Sequence, residues 1–188
     1  MSPVILAFAL LSQGQVPTAP GMVNPAEELK KLSFLVGNWK GEGYMIASAT
    51  EKKTFKITQK ITTKLRGSVY VIDQEGEETN EGADKGKPIM EAFGIISFDA
   101  TRGGFNMHLR SQGGQPVEGE AKLEKSDQAQ ETAATKTNDG NFVWGYGLPD
   151  GGYVRFTSQV KGNTWHEKGE ITQDGKSFFT FMEMNLKK

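Results

Sequence analysis

From Lys52 to the C-terminus the chain is broken by turn signals about 8 to 12 residues apart, and the segments between them alternate in polarity, the pattern of an all-β sandwich or barrel. Asp99-Ala100-Thr101-Arg102-Gly103-Gly104, Asn138-Asp139-Gly140, Pro149-Asp150-Gly151-Gly152, Gly162-Asn163 and Asp174-Gly175 are the turns. Phe55, Ile57, Ile61 and Leu65 share one phase of the segment Lys52–Leu65. Phe105, Met107 and Leu109 alternate with Asn106, His108 and Arg110, and Val117, Ala121 and Leu123 with Glu118, Glu120 and Lys122. Ser68–Gln74 and Met90–Asp99 are further strands, the second apolar on both faces through Phe93, Ile95, Ile96 and Phe98. Ala129–Thr137 reads as a polar strand, followed by strands at Phe142–Tyr146, Tyr153–Val160, Trp165–Thr172 and Phe178–Leu186.

Short turns make sequence neighbours pair as a meander. About ten strands in that order leave two open edges unless the first meets the last. The expected fold is therefore all-β, an antiparallel up-and-down barrel. A sandwich would need long Greek-key connections, and only Glu75–Pro88 has the length. That stretch carries Glu75, Glu77, Glu78, Glu81 and Asp84 among glycines and reads as a solvated excursion, because its acids lack the spacing of a hand-type calcium loop.

The N-terminal part differs. Val4–Leu11 is an apolar run too short to span a bilayer, followed by small and polar residues, as in a secretory signal peptide. Residues 1–14 are expected to be that leader, with Ser12 and Gly14 at the small-residue positions; no Lys or Arg precedes the run. Residues 15–23, with Pro17, Pro20 and Gly21, form a linker, and 24–188 the folded domain. Asn24-Pro25-Ala26-Glu27-Glu28 is a helix start, with a capping Asn, a Pro in the first turn and acids near the positive end of the dipole. Leu29, Leu32 and Phe34/Leu35 give that helix one apolar face, and Gly37 ends it.

The absence of cysteine removes disulfides, thiolate nucleophiles, iron–sulfur clusters and lipoprotein anchoring. With an export leader, it points to a bacterial periplasm or the outside medium. The 22 basic and 23 acidic residues give a net charge of -1, which offers no basic face for nucleic acid. No stable membrane insertion is expected once the leader is removed. No nucleophile elbow, phosphate loop, dinucleotide turn or zinc-protease motif occurs.

Gly37-Asn38-Trp39-Lys40-Gly41-Glu42-Gly43 resembles the first-strand signature of calycin barrels: lipocalins, fatty-acid-binding proteins and nitrobindins. The form Gly-x-Trp-basic-Gly-Glu-Gly looks most like nitrobindin and the exported bacterial lipocalin-like domains of unknown function. The Asp174-Gly175-Lys176-Ser177 turn and the strand Phe181-Met182-Glu183-Met184 look like their closing hairpin. The resemblance implies that Trp39 plugs one end of the barrel under a basic residue of the last strand, with Lys187 and Lys188 available. It also raises haem, which nitrobindins bind through a histidine on the closing strands. Phe178–Lys188 contains none, and His108 and His166 both sit in the polar phase of their strands, so no cofactor and no metal site is expected.

If Trp39 faces inward, so do Gly41, Gly43 and Met45. The two glycines either leave space for a ligand or let a bulky neighbouring ring approach. Met45, Met107, Trp144, Tyr146 and Met182 would line a soft apolar cavity or fill a packed core. Arg110 and Arg155 oppose the apolar phases and should point out, and Glu118 and Glu120 read as solvated. The expected function is non-catalytic binding of a small apolar or amphipathic molecule through Gly41, Gly43, Met45, Met107, Trp144, Tyr146 and Met182. The alternatives are a filled structural or interaction barrel, and a haem-binding or enzymatic barrel using a histidine.

Overall fold

The computed structural model describes residues 23–124 and 139–188. The leader, nearly all of the linker and the strand expected at Ala129–Thr137 lie outside the described residues.

Asn24 caps the first helix, its side-chain oxygen accepting from the Ala26 N–H at 3.0 Å. Helix α1 spans Pro25–Leu29, shorter than the apolar face suggests, and tightens into a 3-10 segment over Lys30–Leu35. The change of pitch keeps Leu29, Leu32, Phe34 and Leu35 all buried against the sheet. Substituting Asn24→Ala is expected to cost about 1 kcal/mol in urea denaturation, through loss of this cap; an unchanged midpoint would show that the cap adds nothing to the docked helix.

Among the described residues ten strands follow: β1 Gly37–Ser48, β2 Glu51–Lys64, β3 Val69–Glu78, β4 Pro88–Asp99, β5 Gly104–Ser111, β6 Val117–Glu124, β7 Gly140–Gly147, β8 Tyr153–Lys161, β9 Thr164–Thr172 and β10 Phe179–Lys187. Each pairs antiparallel with its sequence neighbours, and β1 pairs with β10, so the sheet closes into a barrel with no free edge. The all-β meander expected from the turn spacing is the observed architecture. The tightest turn chemistry is at Asp174, whose carboxylate accepts from the Lys176 and Ser177 N–H groups and the Thr172 hydroxyl. Those bonds, with the Ser177 and Lys176 amides foremost, hold its pKa down to about 2.

Two local expectations are corrected. Leu65 does not continue the inward phase of β2. It turns out of the strand at φ +49° and is 74% exposed, in a left-handed corner shared with Arg66. The excursion expected at Glu75–Pro88 is shorter, because β3 runs on to Glu78 and β4 begins at Pro88. The acids there are partly used in pairing: Glu78 is buried and bonds Lys53 at 3.1 Å. Asn80 accepts from the Thr54 N–H at 2.7 Å and donates to the Lys52 carbonyl at 2.9 Å, which ties the loop to β2.

Candidate functional site: the barrel interior

The helical segment closes one end of the barrel. Trp39, fully buried at the start of β1, donates its indole N–H to the Leu35 carbonyl at 2.8 Å and meets Trp165 edge-to-face at 5.2 Å. The Tyr70 hydroxyl donates to the Leu29 carbonyl at 2.7 Å, fixing the helix over β3. The cation over Trp39 is Lys188, not Lys187. The Lys188 Nζ lies 4.5 Å from the ring centroid and donates to the Phe34 carbonyl at 3.3 Å. Lys187, paired opposite Lys40 and Thr164, is exposed on the outer face.

Above this floor the barrel is hollow. A cavity of about 520 Å³ runs toward the opposite end, beside the start of β4 and the end of β5. Its wall is mainly apolar: Ile61, Ile72 and Ile96 lie on β2, β3 and β4, and Phe142, Trp144 and Phe156 on β7 and β8. A shift of register in β10 between Thr180 and Met182 lets both Phe181 and Met182 reach this wall. Pro88, Glu91, Ser111 and Gln112 frame the exposed end.

The residues expected to contact a ligand divide by geometry. Met45, Met107, Trp144 and Met182 line the cavity. Tyr146 shares the inward face of β7 with Trp144, its ring stacked on that indole at 6.0 Å, but does not line the cavity. Gly41 and Gly43 do not line it. A Cβ at Gly41 would overlap the Asn185 carbonyl oxygen, and one at Gly43 would come within 2.8 Å of the Phe55 ring. Both glycines serve the close approach of neighbouring backbone and ring rather than leaving room for a ligand.

Four polar side chains line the interior that the sequence reading did not single out. Gln59 on β2 stands opposite Gln74 on β3. Ser158 on β8 stands opposite Glu167 on β9, and its hydroxyl donates to the Glu167 carboxylate at 2.5 Å. Burial pushes the Glu167 carboxyl above the ordinary glutamate range, and the Ser158 hydroxyl and Trp165 N–H beside it recover only part of the shift. The Trp165 N–H lies near that carboxyl without the geometry of a hydrogen bond. It is a buried polar atom with no partner among the described residues. The signal for Glu167 was its phase: it shares the inward parity of Trp165 and Ile171, just as Gln59 sits between Ile57 and Ile61.

The remaining candidates face out. His108 lies 3.5 Å from Glu118 on the outer surface, and His166 alternates against Trp165 and Glu167. Neither histidine reaches the cavity, so neither can serve as base or ligand to a group held there. Arg155 pairs with Glu170 at 2.8 Å and lies over the Phe178 ring at 3.9 Å, outside the barrel. Burial alone would raise the Glu170 carboxyl, but Lys168 and Arg155 outweigh it and hold the group ionised. Among the described residues no group of three or more His, Asp or Glu side chains gathers to hold a metal, and no helix is long and apolar enough to cross a membrane.

Several solved structures share the architecture. Rv2717c from M. tuberculosis superposes with a TM-score of 0.64 at 13% identity, over 88% of this chain and 98% of that one. The S-type phycobiliprotein lyase CPES from Guillardia theta gives 0.54 at 14% identity, over 88% and 93%. At such identities the likeness is one of fold alone, and it fits a calycin-like barrel architecture. No family model and no curated protein sequence matches the chain.

Proposed function

We propose that this protein is a non-catalytic carrier or receptor that holds one small apolar or amphipathic molecule inside its barrel. The observation that carries the reading is the closed-floored cavity of about 520 Å³ with a mainly aromatic and aliphatic wall. That volume falls in the range of small-molecule sites, roughly 300–1,000 Å³. A filled structural barrel would have used the inward methionines and aromatics to occupy this space. The lyase barrel of similar fold is, by its name, an enzyme acting on phycobiliproteins; here the outward histidines favour binding over chemistry. The apolar run Val4–Leu11 and the absence of cysteine extend the reading to an exported bacterial protein of the periplasm or medium. Net charge near zero gives no reason to include nucleic acid among its partners.

The test is occupation of the cavity by a neutral apolar fluorophore, N-phenyl-naphthylamine. Its emission should rise and saturate at one equivalent. Ala92 faces the cavity from β4, and Ala92→Trp should weaken binding about tenfold or more by filling the space. Phe93, the next residue, is 46% exposed on the outer face, and Phe93→Trp should leave binding unchanged. Equal effects from the two substitutions, or no saturable binding in the parent protein, would overturn the reading.

A further inference from the structure

Among the described residues the cavity wall carries two carboxyl side chains, Glu167 deep inside and Glu91 at the exposed end, and no lysine or arginine. The basic side chain in the inward phase nearest the rim, Lys53, is already engaged by Glu78 and Glu51 at 3.1 and 3.6 Å. Lys188 lies beneath the floor, against Trp39. A ligand with an anionic head would therefore enter desolvated and without a counter-charge among the described residues, facing Glu167 at the bottom.

The deep end is nevertheless polar. Glu167 is 8% exposed and accepts the Ser158 hydroxyl on one oxygen, which leaves its other oxygen without a partner among the described hydrogen bonds. Trp165, 4% exposed and part of the cavity lining, presents an N–H with no acceptor. Gln59, 5% exposed, adds an amide to the same lining, and no side-chain hydrogen bond is found for it among the described residues. Buried polar atoms are nearly always paired, and an orphaned donor beside a half-used carboxyl in a hollow is the arrangement a bound polar group would complete. An ammonium would pair with Glu167 but supplies no acceptor for Trp165, and it adds the desolvation cost of a buried ion pair. A hydroxyl or amide supplies a donor and an acceptor together.

Building on the cavity-binding reading, we propose that Glu167, Ser158 and Trp165 form a headgroup site that selects uncharged amphipathic ligands ending in an alcohol or amide, inserted head-first with the apolar tail toward β4 and β5. The headgroup accepts from the Trp165 N–H and donates to the free Glu167 oxygen. Gln59 offers a second pairing across the cavity.

The test compares four ligands with one tail, decanamide, decanol, decylamine and decanoate, each displacing N-phenyl-naphthylamine at neutral pH. Decanamide and decanol should bind about tenfold or more tighter than decanoate and decylamine. Glu167→Leu should erase that order, and Glu167→Gln, whose Oε1 can still accept from Ser158 but whose Nε2 donates where the free carboxylate oxygen accepts, should narrow it. Trp165→Phe keeps the ring against Trp39 and removes only the N–H, so it should narrow the gap even if the leucine variant folds poorly. Decanoate or decylamine as the tightest ligand would overturn the proposal, as would an unchanged order in Glu167→Leu. If the fluorophore binds and all four ligands compete equally, the headgroup site falls while the cavity reading stands. If the fluorophore itself does not bind, the cavity reading falls.

Discussion

Trp39→Ala is expected to destabilise the protein by about 3–5 kcal/mol, read as a shift of the urea midpoint at constant slope. The indole is fully buried where the helical segment, β1 and β9 meet. Truncation removes its contacts with Trp165, leaves the Leu35 carbonyl without its donor and takes the ring from under Lys188. Lys188 would then keep a partly desolvated ammonium, its pKa already lowered by burial, with only the Phe34 carbonyl to face. A small domain commonly holds about 5–15 kcal/mol in total, so this one change consumes a large part of the margin. Trp39→Phe keeps most of the packing and loses the hydrogen bond, and should cost about 1–3 kcal/mol. A cost below about 1 kcal/mol for alanine would mean that the helix closes the barrel without the plug. The fluorophore assay gives an independent readout, because an opened floor should weaken probe binding even where the variant remains folded.

The barrel was legible in the sequence because its signals are local and repeated. Gly162-Asn163 and Asp174-Gly175 each set a tight turn, and strands joined by such turns have little choice but to pair with their neighbours. Trp39 was legible because glycines flank it at the start of a strand. Lys187 and Lys188 were both available for the plug because strand parity, not composition, decides which of two adjacent lysines reaches the inner ring. The last paired residue, Lys187, takes the outer face, and Lys188 follows it under Trp39. Gly41 and Gly43 were ambiguous because a missing side chain looks the same whether it yields to a ligand or to the Asn185 backbone. Whether Met107 and Met182 fill the interior or line it depends on the volume summed over all strands, which no single strand encodes. Glu167 was hidden by composition. In Trp165-His166-Glu167-Lys168-Gly169-Glu170 both faces carry polar residues, so the alternation that marks other strands has no contrast here.

Glu167 also makes stability depend on pH in a direction opposite to most carboxylates. Its folded-state pKa is raised by burial, so between the ordinary value near 4.5 and the raised one the native state keeps a proton that the unfolded state releases. Native protein then binds more protons than unfolded protein, and stability falls as pH rises through this window. Below the ordinary value both states are protonated and the group contributes no penalty. Glu167→Gln removes the titration while keeping an acceptor for the Ser158 hydroxyl. The variant should be more stable than the parent at neutral pH and should gain nothing of that kind at pH values below the carboxylate range. Ion-paired groups such as Glu170 lose their contribution as pH falls in both proteins, so they cancel in the difference. Urea denaturation of the two proteins across pH measures that difference directly. A gap that is constant with pH would show that Glu167 keeps the same charge in the native and unfolded states, and that water reaches the base of the cavity well enough to ionise it. A gap that widens as pH rises shows that burial holds the Glu167 carboxyl above the ordinary glutamate range, as a cavity floor closed to water would do, with the Ser158 hydroxyl and the nearby Trp165 N–H recovering only part of that shift.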